Sequence, residues 1–324
     1  MTVPESPRAP AQFRRPKRRD IDGVLLVDKP GGQSSNGVLQ RVRFLLNAAK
    51  AGHGGTLDPM ATGLLVVCFG EATKFSSSLL EGGKAYEGEM ILGVRTDTGD
   101  AEGAVVETAD LPATMPDPVE LARPFIGRIV QRPPVYSALK HEGKPLYEYA
   151  RAGAPVEAKL REVTIYGLEL SYPSPDRIRF VVECSSGTYV RSLAEDIARS
   201  LGTVGHLCAL RRIRSSAFRI DSAIAPEALE QLSMAQRETR LLSPDALVAD
   251  LPSCTLGGAA ALSICRGQTV EAPTGTTAGR LRLYDDAGIF LGVGTLEADG
   301  SIHSNRLLAT GSRAGSGSRD NPLN

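Results

Sequence analysis

Apolar residues along this chain fall in short blocks cut by glycine, proline and small polar residues. Gly23 to Val27 is an apolar run stopped by Asp28-Lys29-Pro30-Gly31-Gly32, which predicts a strand and then a turn. Ser34, Ser35 and Asn36 offer N-caps, and Val38, Leu39, Val42, Leu45 and Leu46 follow at helical spacing. Leu64 to Phe69 is continuously apolar, the pattern of a buried strand, while Tyr86 to Val94 alternates and residues 178–184 form another strand. Leu193 to Leu201 fits an amphipathic helix ended by Gly202. The two element types mix irregularly rather than as βαβ repeats. The expected fold class is therefore α+β, a mixed, largely antiparallel central sheet with flanking helices, rather than a doubly wound sheet.

After Pro244 the texture changes. Short apolar runs broken by GG, RG, PTG and DDAG predict a small all-β barrel over 250–310. Residues 1–20 are Pro-rich and basic without periodicity, the pattern of a disordered arm, and 311–324 read as a flexible tail. That leaves 21–249 as the main domain. No internal repeat is visible.

Composition narrows the function classes. Lys plus Arg and Asp plus Glu number 37 each, so the chain is formally neutral, which disfavours a large nonspecific polyanion binder but permits a local basic groove. Aromatics make up 5% and Trp is absent, so any stacking must rest on one or two Tyr or Phe. The five cysteines are odd in number and form no CxxC, which points to buried thiols in a reducing compartment rather than a zinc site or disulfide framework. The arginines near the start are followed by no apolar signal stretch, and no run approaches a membrane span. A cytoplasmic location is the expectation.

The densest chemistry lies in Gly52-His53-Gly54-Gly55-Thr56-Leu57-Asp58-Pro59-Met60-Ala61-Thr62-Gly63. Glycine lets backbone approach a ligand closely and proline fixes the loop exit. Asp58 is its single carboxylate. Taken alone, Asp before Pro is also a common turn residue, and the glycines match no phosphate-loop pattern.

Longer segments go further. GHGGTLDPMATGLLVVCFGEATKF closely resembles the active-site motif of the TruB-type tRNA pseudouridine synthases, usually written GHxGTLDPxATG. GVLLVDKPGGQSSN, KAYEGEMILGVRTDTGDAEG, QRPPVYSALKHEGKPLYEYAR, CSSGTYVRSLAEDIARSLG and HLCALRRIRSSAF resemble further segments of that family, in order, over residues 21 to about 220. The 250–310 region resembles, more weakly, the PUA-type RNA-binding barrel of many members. Gly54 departs from the pattern, since many members have Thr there.

The resemblance implies a pseudouridine synthase fold and isomerisation of uridine to pseudouridine in the tRNA T-loop, at position 55 of tRNA numbering. The target nucleotide would be flipped out of its stack, and no redox cofactor or metal would be needed. His53, His141, His206 and His303 form no metal-ligand pattern. Asp58 matches the catalytic aspartate, as nucleophile or general base. Arg191 matches its arginine partner, whose charge should lower the carboxyl pKa. Tyr86 matches the tyrosine that stacks on the base, and Tyr189 and Leu210 match further pocket residues, the latter expected in a helix if structural. His53 matches a histidine beside the RNA. Lys29 is carried with the substrate-binding set as a support for the loop. An insert at about 124–155 would contact the RNA stem-loop, with Arg123, Arg128, Arg132, Lys140 and Lys144 joined by Arg211, Arg212, Arg214 and Arg219 in a basic groove. The implied partner is the tRNA T stem-loop, met by a monomer. An RNA-binding or tRNA-folding chaperone is the alternative. A glycoside hydrolase ranks last, because that chemistry normally needs two carboxylates and the loop offers one.

Overall fold

Two sheets organise the chain. The computed structural model describes residues 18–309 apart from 138, 155 and 157. The tail expected over 311–324, and all of the basic arm before residue 18, lie outside the described residues.

The larger sheet has nine strands: β1 (Gly23–Lys29), β2 (Ala51–His53), β3 (Thr62–Phe69), β4 (Lys84–Leu92), β5 (Gly127–Gln131), β6 (Arg161–Ser174), β7 (Arg177–Cys184), β8 (Gly205–Ser215) and β9 (Phe218–Arg219). Their order is β1-β3-β8-β4-β7-β6-β5, with β2 on β3 and β9 on β8. Only the short β8–β3 contact is parallel; the other pairings are antiparallel. The α+β class with a largely antiparallel sheet is thus the fold observed.

Apolar patterning explains the layers. In β7, Ile178, Phe180, Val182 and Cys184 are buried while Arg179, Val181 and Glu183 face solvent, the period of a strand with one wet face. The buried row packs on helix α2 (Val190–Ser200) through Leu193, Ala194 and Ile197. β1 and β3 are apolar throughout because both faces are covered. Leu25 and Val27 meet helix α1 (Ser35–Leu45), whereas Val24 and Leu26 meet Phe75, Leu79 and Phe290.

The second sheet, β10 (Ser253–Thr255), β11 (Val270–Glu271), β12 (Gly279–Tyr284), β13 (Phe290–Leu296) and β14 (Ser301–Leu307), runs in the order β10-β12-β13-β14-β11. It forms a curled, PUA-like half-barrel around Leu281, Leu283, Leu291 and Ile302, with helix α3 (Gly258–Cys265) against it. Among the described residues, no helix is long and apolar enough to cross a membrane.

Two local expectations shift. The Gly-rich stretch begins as strand, since Gly52 and His53 pair with Cys68 and Val67 of β3. Leu210 lies on a strand, β8, not a helix. Its neighbours share the face period of that ladder, and the pairing with β4 overrides the helical character of the leucine and arginines.

Candidate active site

The loop 54–61 joins β2 to β3, and contacts from four directions hold it. Ser34 caps α1 by accepting from Gly37 N (3.0 Å), which frees Ser35 to turn toward the loop. The Ser35 hydroxyl donates to Leu57 O (2.9 Å) and accepts from Leu57 N (2.8 Å). Gly54 N donates to Val66 O (3.0 Å) and Gly32 N to Pro59 O (2.9 Å). From β8, Arg212 donates to Leu64 O (2.7 Å) and Gly55 O (3.2 Å). Gly63, at φ +97°, closes the loop in a left-handed conformation, and a Cβ there would strike the Arg212 backbone.

Lys29 completes this support. It is wholly buried, and its ammonium donates to Pro30 O (2.9 Å), Gln33 O (2.6 Å) and Pro59 O (3.0 Å). Burial lowers its pKa to about 8. With its protons spent on carbonyls, Lys29 props the loop from below and does not face a substrate. Expected with the substrate-binding set as a support for the loop, Lys29 does not line the cleft above.

Above the loop lies a cleft of about 250 Å³. That is near the lower end of small-molecule sites, about 300–1,000 Å³, and suits one nucleobase. Asp58, Tyr86, Tyr189, Arg191 and Leu210 all line it; His53 and Lys29 do not. His53 sits on β2 with its Nδ1 buried and without a partner among the described residues, and burial lowers its pKa.

Arg191 is buried and meets Asp58 with two prongs, Nε to Oδ2 at 3.0 Å and Nη2 to Oδ1 at 3.2 Å. The same guanidinium donates to Thr98 O (2.8 Å) and Tyr136 O (3.0 Å), and Asp100 Oδ2 lies 3.6 Å away. Its backbone is fixed in turn by Gln131, which accepts from Tyr189 N (3.0 Å) and donates to Tyr189 O (3.3 Å), where α2 lacks a side-chain cap.

The expected lowering of the Asp58 pKa is not the net result. Burial in the cleft raises it, and this outweighs the opposing Arg191 charge; Asp100 adds to the rise. Asp58 nevertheless keeps 35% of its side chain open to the cleft, so the carboxylate is both desolvated and reachable. Tyr86 is almost buried, its hydroxyl pKa raised by burial, with Arg212 beneath it.

One member of the expected basic groove is withdrawn from it. Arg212 is 1% exposed and cannot reach an RNA backbone. Arg211 is committed to Asp28 through two bonds (3.0 and 2.7 Å), Arg214 to Glu183 (3.0 Å), Arg219 to Asp221 (3.3 Å), Arg123 to Glu120 (2.6 Å) and Arg128 to Glu162 (3.7 Å). Arg132 and Lys144 are exposed, and the Lys140 side chain lies outside the described residues. Arg123, Arg128 and Arg219 keep more than two thirds of their side chains exposed, so their pairs are surface pairs, and Arg212 alone is withdrawn by burial. Sequence reasoning missed Arg212, Lys84, Gln131 and Ser137 as parts of the site. A signal existed for two of them: Lys84 is two residues from Tyr86 and Arg212 two from Leu210, so each must share a strand face with a pocket residue.

Comparisons with known proteins match nearly the whole described chain. Residues 43–190 match the N-terminal domain model of the TruB family pseudouridylate synthases. Residues 191–251 match the tRNA pseudouridylate synthase B C-terminal domain, and 252–308 the model described as pseudouridine synthase II TruB, C-terminal. The chain is 50% identical over 303 residues to tRNA pseudouridine synthase B of Aromatoleum aromaticum, covering 94% of this chain and 97% of that one. It is 49% identical over 304 residues to tRNA pseudouridine synthase B of Chromohalobacter salexigens, covering 93% and 99%. Among solved structures it superposes on one described as a Cbf5-Nop10-Gar1 complex with a TM-score of 0.67 at 24% identity, covering 88% of this chain and 84% of that one.

Proposed function

The chain belongs to the TruB family of pseudouridylate synthases, and from that premise we propose that it isomerises one uridine in the T-loop of tRNA, position 55. Pseudouridine formation in tRNA is the activity of the family. The finer reading rests chiefly on one observation, the two-pronged Arg191–Asp58 pair at the floor of a cleft sized for a single base.

A base enters that cleft only if it leaves its stack, at a cost of a few kcal/mol. Tyr86 offers a ring on which it can stack, worth about 1–3 kcal/mol. Asp58, aimed by Arg191 and stripped of most of its water, supplies the carboxylate that engages the nucleotide as its N-glycosidic bond breaks. The base turns and rejoins the sugar through carbon, so substrate and product are isomers and nothing is oxidised or hydrolysed. A monomer acting on tRNA in the cytoplasm is the setting this reading implies.

Incubation with unmodified tRNA transcript followed by pseudouridine mapping tests this reading. The wild type is expected to convert the T-loop uridine, and Asp58→Asn to bind the transcript with similar affinity yet convert none. Conversion at a different site, or turnover by Asp58→Asn within tenfold of wild type, overturns the assignment.

A further inference from the structure

Lys84 stands in the wall of the cleft two residues before Tyr86, on the same face of β4. Only 6% of the residue is exposed. Its ammonium donates to Leu79 O (2.7 Å) and Gly82 O (2.6 Å), two neutral acceptors for a group with three protons. Among the described residues, no carboxylate lies within ion-pair distance of Lys84 or of Arg212 next to it. The charged and titratable groups facing it are Arg212 and Arg214 of β8 and the Cys184 thiol of β7, and Arg214 is already paired with Glu183. The Ser137 hydroxyl, which also lines the cleft, is buried and has no partner among the described residues. Among the described residues one acid lines this cavity, Asp58, and Arg191 holds it.

A buried ammonium without a counter-charge is unfavourable, and two carbonyls do not neutralise it. The cleft therefore presents surplus positive charge and unmet donors to whatever enters. A guest that suits it brings acceptor oxygens and, at some stage, negative charge. Uracil carries O2 and O4. When the N1–C1′ bond breaks, its electron pair leaves with the base and spreads over N1, O2 and O4. The ring then rejoins C1′ through C5, the C5 proton is lost and N1 takes up a proton, so substrate and product are isomers and atoms and electrons balance without a co-reactant.

We propose that Lys84 is a catalytic residue of this reaction, its ammonium stabilising the negative charge that develops on the uracil oxygens as the glycosidic bond breaks. This rests on the reading of the substrate given above. Charge met only in the transition state accelerates the chemical step without tightening ground-state binding.

Single-turnover conversion of unmodified tRNA by wild type, Lys84→Met and Lys84→Arg tests it, with tRNA affinity and melting temperature measured alongside. Methionine is expected to lower the rate at least a hundredfold while affinity stays within threefold. Arginine is expected to restore at least tenfold of that loss. Burial lowers the Lys84 pKa to about 8, so kcat/KM of the wild type should fall as pH rises through that value. In Lys84→Arg this fall should move up by more than one pH unit. That shift assigns the limb to Lys84 rather than to Lys29, whose pKa is also about 8, and a melting temperature unchanged across the same pH range separates it from loss of a structural prop.

A near-normal rate in Lys84→Met overturns the proposal, and so does an alkaline limb unchanged in Lys84→Arg. Loss confined to affinity, with the salt dependence of binding reduced by about one phosphate contact, would put Lys84 on the RNA backbone and also overturn it. A wild type that converts no uridine defeats the reading of the substrate, whereas an active wild type with an active Lys84→Met defeats only the role of Lys84.

Discussion

Asp58 is held between opposed influences. The cleft desolvates its carboxyl and raises the pKa, while Arg191, 3.0 Å away, favours the charged form. If the ionised form does the chemistry, activity is lost as pH falls through the raised value. The acid limb of kcat/KM is therefore expected above the ordinary aspartate range. Arg191 also sets direction, since a guanidinium grips both carboxylate oxygens in one plane and an ammonium does not. Arg191→Lys keeps the charge and loses the aim. It is expected to slow single-turnover conversion on the order of a hundredfold, because a misplacement of about 1 Å carries that cost. A near-normal rate, or a defect confined to tRNA affinity, would contradict the aiming role.

At the scale of elements, the end of β5 fixes the start of α2. Gln131 is fully buried and reads both backbone groups of Tyr189, and the Ser192 hydroxyl donates to Arg132 O at 2.8 Å. These bonds do the work of the missing N-cap and set where Arg191 emerges. Gln131→Leu is expected to destabilise the fold by about 1–3 kcal/mol through the unsatisfied Tyr189 groups. It should also lower the single-turnover rate; a melting shift with an unchanged rate would show that the helix start is not what aims Arg191. The β2–β3 loop and the Tyr86 strand were legible as elements because glycine spacing and alternation are local signals. The Gln131 clamp was not, since it joins residues 58 positions apart in sequence.

At the scale of the whole molecule, the half-barrel is not a free appendage. Phe290 and Val293 of β13 enter the apolar cluster behind β1 and β3, and the Phe290 ring lies 5.6 Å from that of Phe75. Lys74 donates to Leu307 O (2.9 Å). The same cluster seats Leu79, whose carbonyl holds Lys84, and Leu79 fills the space that a side chain at Gly54 would need. Phe290→Ala is expected to cost about 3–5 kcal/mol, read as a single shifted unfolding transition for the whole chain. Two separate transitions, with only the later one shifted, would show that the units fold independently.

By itself, the sequence determined the fold class, the apolar faces and the loop that bears Asp58, because strand alternation, helical spacing and glycine-proline turns are written in neighbouring residues. It also carried the family resemblance, which rests on contiguous motifs. Only the tertiary structure decided which charges are spent. Arg212 reads like its neighbours Arg211 and Arg214, yet it alone of these lies beneath the loop and holds Gly55. The net direction of the Asp58 pKa and the surplus charge at Lys84 were settled the same way. Burial and pairing depend on which distant segments the ladder brings together, and a Coulomb interaction depends on distance in space, not along the chain.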